Sequence, residues 1–315
     1  MTDLHTHEAA TGTGDRSRPR AALPALCATQ ITSWGIVYYA FPVLLPHLTA
    51  DTGWSTSAAT AAFSAALLVS AIAGIPVGRI LDRRGPRAVM TTGSLLAVAA
   101  VLAMALAPNL YVFTAAWLMA GVAMAATFYQ PAFAALTRWW GPDRVRALTT
   151  VTLAGGLAST VFAPLTATLA DHLSWRTTYA ALAVILAVVT IPAHALALRA
   201  PWPPAPTAVR TTSRTPIARS RPFLLLTLAF ALSGFAMYAV VFGLVPLLTG
   251  RGADPTTAAW GLLSAPATVF GALAPWVGAA LAGPLGGYSK LFIALAVGSA
   301  LAALLAVASG RPSHR

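Results

Sequence analysis

The chain has 315 residues, of which 57% are hydrophobic and 9% charged, with a mean hydropathy of +0.73. A soluble globular domain carries about 25% charged residues, so a soluble enzyme, a disordered protein and a coiled coil are excluded. The net charge of +12 and pI of 11.2 would suit a nucleic-acid binder only if the positive residues formed a patch, and they are spread over loops instead.

A bilayer core takes about 20 apolar residues per crossing helix. Nine apolar stretches of that kind are read at 22–46, 57–78, 88–107, 110–136, 147–170, 175–198, 222–249, 257–282 and 289–309. The predicted fold class is an all-α polytopic membrane protein with about nine transmembrane helices. Residues 1–21 form a polar cytoplasmic tail ending in Arg16, Arg18 and Arg20. No short apolar core with a cleavage site follows them, so the first stretch reads as a retained span. It carries Gln30, Trp34 and Tyr38 at i, i+4 and i+8, on one helical face. Cys27 is the sole cysteine, which excludes an intrachain disulfide and a thiolate metal site.

The loop after the second stretch reads GRILDRRGPR, residues 78–87. The fourth stretch ends in YQPAFAALTRWW, where Tyr129 and Gln130 precede Pro131. His47, near the outer end of the first stretch, and His194, near the end of the sixth, read as interfacial. Arg176 reads as an interfacial anchor at the start of the sixth stretch. Residues 22–198 are thus predicted to make a six-helix N-terminal bundle. Residues 199–221 are rich in Pro, Thr and Arg without apolar periodicity, and read as a cytoplasmic linker. Residues 222–309 make a partial C-terminal bundle of three helices, with Ser233 and Tyr238 in its first, and 310–315 are a tail.

With the N-terminus in the cytoplasm, sixteen of the twenty Lys and Arg residues fall on that side. They lie in the tail, in the loop of Arg79, Arg83, Arg84 and Arg87, at Arg138, Arg144 and Arg146, in the linker, and at Lys290. Arg176, Arg251, Arg311 and Arg315 remain outside. The positive-inside rule therefore predicts a multi-pass cell-membrane protein with a cytoplasmic N-terminus and an outer C-terminus. The arginines face an anionic lipid leaflet, and no nucleic-acid partner is needed.

A shift of about 200 residues reveals a weak repeat. Gly35, Tyr39, Ala40, Leu48 and Thr49 fall near Gly234, Tyr238, Ala239, Leu248 and Thr249. Internal repeats around a central site mark secondary transporters. The pattern G-x-x-x-D-R-x-G-x-R at Gly78, Asp82, Arg83, Gly85 and Arg87 resembles the signature loop of the major facilitator superfamily, between its second and third spans. That resemblance implies a cytoplasmic loop that latches the two halves and gates alternating access. Each residue type has a job there. Gly78 allows close helix approach, Asp82 suits a helix N-terminus, Gly85 permits positive φ, and Arg83 and Arg87 pair with acids or lipid phosphates. The stretches SWGIVYYAFPVLLP, TGWSTS, YQPAFAALTRWW and RALTTVTLAGG are also similar to permeases near the monocarboxylate-transporter-like branch, which implies a small organic anion as substrate.

The chain departs from the family pattern in three places. Trp117 and Ala120 stand where drug/proton antiporters carry Arg and Gln, which demotes antiport. No charged residue lies deep in any of the nine stretches, so no carboxylate proton relay is offered. The superfamily has twelve spans, and its first gating loop packs on the eleventh. The expectation is a chain lacking the last three, with Asp82 left without that partner. Self-association or a second chain would complete it if it is active.

The predicted function is secondary active transport of a small solute with or without a coupling ion. The alternative is a truncated, non-transporting membrane scaffold or sensor. An enzyme is not expected, since no metal-ligand cluster, nucleophile–base pair or phosphate loop is present, and no cofactor is implied. Without charges, the candidate substrate residues are Gln30, Trp34, Tyr38, Tyr129, Gln130, Ser233 and Tyr238, which offer hydrogen bonds and aromatic faces.

Overall fold

The computed structural model describes residues 19–202 and Leu224. The chain divides into two compact units, 1–205 and 206–315, and every helix below belongs to the first. Ser233, Tyr238 and the three later apolar stretches lie outside the described residues.

Helix α1 spans Ala22–Trp34 and continues through a π-helical turn, Gly35–Tyr39, into α2, Ala40–Thr52. Helix α3 runs from Thr56 to Ala105, α4 from Leu110 to Thr127, and α5 from Tyr129 to Trp140. Helix α6 is Arg144–Gly156, α7 Ala158–His172 and α8 Trp175–Pro192, closed by a second π-helical turn at Ala193–Ala197. No strand occurs among the described residues.

Four helical runs are long and apolar enough to cross a membrane: Ala22–Thr52, Thr56–Ala105, Leu110–His172 and Trp175–Ala197. Two of these hold 50 and 63 residues. At 1.5 Å per residue, 50 residues would reach about 75 Å, more than twice a bilayer core. Each long run therefore reverses. Helix α3 does so at Gly85, whose φ of 77 and ψ of 170 leave the helical region. The other run reverses at the short 3-10 turn Gly141–Asp143, where Gly141 has φ 51.

The reversals are tighter than the hydropathy pattern predicts. The loop read at 78–87 is helical except for one residue, because Pro86 can open the second half of α3 without needing an N–H partner. Helix starts elsewhere are capped by side chains. The oxygens of Ser55, Asn109 and Ser174 accept from the N–H groups of Ala58, Val112 and Thr177 at 3.2, 3.0 and 3.2 Å.

Helix α3 packs along α4 and α8, α1 along α6, and α2 along α7. Small residues at the seams, such as Ala62, Ala66, Ala97, Ala100, Ala116 and Ala120, are buried and bring the helices close. Trp117 is buried in an aromatic core, edge-on to Phe41 and Phe63 at 5.1 and 5.0 Å. Leu68, Ile72 and Ile75 line one face of α3 at 64–71% exposure, a surface suited to apolar surroundings.

Two sets of contacts define the two ends of this bundle. At one end the Trp175 indole N–H donates to Asp51 at 2.8 Å. Arg176 there donates to the carbonyls of Ala105 and Ala107 at 3.0 and 2.7 Å, closing the end of α3. At the other end lie Asp82, Arg87, Arg138 and Ala195. His194 is fully buried there, with Nδ1 2.7 Å from Ser94 Oγ. The π-helical turn rotates its ring inward onto α3. His47 is exposed.

Candidate functional site

The site begins with a proline. Pro131 has no N–H, and its ring crowds the carbonyl four residues earlier, that of Thr127. The helix breaks there: α4 stops at Thr127, and Phe128 is extended at φ −76, ψ −160 before α5 starts. A carbonyl bared inside a membrane bundle needs a donor. Gln30 supplies it from α1, its Nε2 donating to Thr127 O at 2.8 Å. Gln30 is fully buried.

One turn on, Trp34 stacks on Phe128 with ring centroids 4.1 Å apart, and reaches Tyr129 at 5.2 Å and Tyr38 at 5.4 Å. Tyr38 meets Phe63 edge-on at 5.2 Å. The π-helical turn places Tyr38 on this face. It is held by Phe162 of α7, which packs so closely on Gly35 that a Cβ there would overlap its ring. Gly155 leaves room in the same way for the Tyr129 ring. Gln30 Oε1, an acceptor, and Trp34 Nε1, a donor, are buried with no hydrogen-bond partner among the described residues. Buried polar atoms are rarely left so, and this pair can receive a small solute with a donor and an acceptor of its own.

The structure thus brings together Gln30, Trp34, Tyr38 and Tyr129. Gln130 is exposed on α5. Sequence reasoning passed over Thr127 and Phe128, which join the two helices. The available signal was Pro131, four residues past Thr127. Among the described residues no group of three or more His, Cys, Asp or Glu could hold a metal ion.

The loop 78–87 sits at the arginine-rich end. Asp82 is ion-paired with Arg138 of α5. That gives Asp82 a partner within its own unit, distinct from the eleventh-span partner that the sequence reading expected it to lack. Asp82 also lies in the last turn before the Gly85 break, so its expected helix N-terminus is corrected to a C-terminal position. An acid is disfavoured there, and the arginine offsets this. Arg87 donates through Nε to Ala195 O at 2.9 Å, tying α3 to the end of α8. Arg83 is exposed. At Gly78 no close helix approach is seen among the described residues. The helix runs on past it, and an added Cβ would meet nothing within 4 Å among the described residues.

The family model of the Major Facilitator Superfamily matches residues 26–313. Monocarboxylate transporter 13 of Bos taurus is 28% identical over 271 residues, covering 83% of this chain and 60% of that protein. Monocarboxylate transporter 13 of Rattus norvegicus is 28% identical over 306 residues, covering 91% of this chain and 68% of that protein. An uncharacterized 38 kDa protein of Thermoproteus tenax is 28% identical over 266 residues, covering 83% and 66%. The chain therefore spans about two thirds of the length of the relatives it matches.

Proposed function

Because the chain belongs to the major facilitator superfamily, a family of multi-pass membrane transporters and not of enzymes, we propose that it moves a small organic acid across the cell membrane by alternating access. The observation that carries this reading is the loop 78–87, folded as a one-residue reversal and ion-paired from Asp82 to Arg138 at the arginine-rich end of the bundle. A pair at a bundle end can open and close without crossing the bilayer, as a gate requires. Arg83, Arg84 and Arg79 are exposed beside it and suit the phosphates of a cytoplasmic leaflet, which supports a cytoplasmic N-terminus.

The names of the bovine and rat relatives favour a monocarboxylate as the solute. Gln30, Trp34, Tyr38 and Tyr129 form its contact surface in the first unit, offering hydrogen bonds and ring faces without a formal charge. Any coupling ion then acts outside this cluster.

Uptake into proteoliposomes, tested with a panel of short carboxylic acids and their neutral amides, checks the reading. Saturable uptake of at least one acid is expected, falling about tenfold or more in Trp34→Ala. Absence of saturable flux for every acid, with folded protein, overturns transport and favours the scaffold reading.

A further inference from the structure

The linker does not leave the bundle freely at the end of α8. Its residue Trp202 lies between the loop 78–87 and the end of α5, with two contacts on each. The indole N–H donates to the backbone carbonyl of Asp82 at 3.1 Å. The Arg138 guanidinium stands 4.4 Å over the indole ring. Trp139 meets that ring edge-on at 5.9 Å and donates its own indole N–H to Pro201 O at 3.1 Å. Gly85 completes the seat: an added Cβ would come within 3.1 Å of Trp202 Cγ.

Three of the four partners, Asp82, Gly85 and Arg138, are residues that the loop already uses. Arg138 is the ion-pair partner of Asp82, and Gly85 is the reversal. A cation over an indole face is attracted by the ring quadrupole, and more so when partly withdrawn from water. The Arg138 side chain is 16% exposed, against 58% for Asp82. The same guanidinium therefore serves a carboxylate in one direction and a ring in the other.

We propose that Trp202 is a clasp, a positioning residue that fastens the first residues of the linker to the loop 78–87 and holds Arg138 against Asp82. The tether to the following unit then starts on this loop and not at the end of α8. Any movement of the loop is passed directly to the linker, and a pull on the linker bears on the Asp82–Arg138 pair. The inference rests on the reading of that loop as a gate only for its consequence, since the clasp itself is a set of contacts.

Hydrogen exchange on the full chain in nanodiscs tests it. In Trp202→Ala the amides of residues 82–88 should exchange about tenfold faster, while those at the opposite end, around residues 53–55 and 106–109, keep their rates. Trp202→Phe keeps a ring and loses the N–H donor, so it should fall between parent and alanine. Arg138→Gln removes the ion pair and the cation over the ring together. It should speed the amides of Arg199, Ala200 and Trp202 more than Asp82→Asn, which leaves the Asp82 carbonyl in place. Unchanged exchange at 82–88 in Trp202→Ala overturns the clasp, and so does equal loosening at both ends, which marks a general packing role. Loosening confined to the loop with unaltered solute uptake upholds the clasp and overturns the gate.

Discussion

Gln30 and Pro131 are complementary defects. The proline removes a donor from the ladder of α4, and the amide brings one from α1. Neither is favourable alone inside a membrane bundle. Gln30→Leu should therefore cost about 1–3 kcal/mol, because it strands the Thr127 carbonyl without desolvating anything useful in return. Pro131→Ala restores an N–H four residues after Thr127. The double variant Gln30→Leu/Pro131→Ala should accordingly be more stable than Gln30→Leu alone. Thermal unfolding in detergent checks both, and additive losses in the double variant would refute the pairing. An amide in an apolar stretch was enough to single out Gln30 from the sequence. Thr127 stayed hidden because its contribution is a backbone carbonyl, exposed only by a proline further along. Arg138 was visible as one more positive loop residue, but its pairing with Asp82 depends on how far α5 extends beyond its apolar stretch.

At the scale of elements, the helices outrun the apolar stretches that announce them. Hydropathy falls at Arg79 and at Arg138, yet α3 stays helical to Gly85 and α5 to Trp140. Charged end turns lose nothing by being helical where the bundle meets water, so polarity locates the membrane boundary and not the helix end. The reversals are set by single residues with special backbones, and the two glycines of the loop separate on this ground. Gly85 combines φ 77 and ψ 170 with a neighbouring indole. Gly85→Ala should cost at least about 1–3 kcal/mol. Gly78 is helical with open space around it among the described residues. Gly78→Ala should be neutral or stabilising by up to about 1 kcal/mol. Unfolding midpoints of the two variants in the same detergent give the comparison, and a loss at Gly78 as large as that at Gly85 would contradict it. The motif pattern weighted both glycines alike, and only backbone angles tell them apart. The π-helical turns at Gly35–Tyr39 and Ala193–Ala197 left no periodic signature, since one extra residue per turn is too small a change to read from hydropathy.

At the scale of the molecule, the contacts sort the arginines by end. Arg87 and Arg138 meet Ala195 and Asp82 at one end, while Arg176 closes α3 at the other. The counted charge asymmetry thus coincides with a physical polarity of the bundle, built from separate hydrogen bonds. If the positive-inside rule sets its orientation, the arginine-rich end faces the cytoplasm. Val145, between Arg144 and Arg146, is 67% exposed at that end, and Tyr111 is 86% exposed near the other. With the single native cysteine removed as Cys27→Ala, Tyr111→Cys in intact cells should react with a membrane-impermeant maleimide. Val145→Cys should react only after permeabilisation. The reverse pattern would invert the assigned orientation, and with it the side on which the Asp82–Arg138 pair and the Trp202 contacts open.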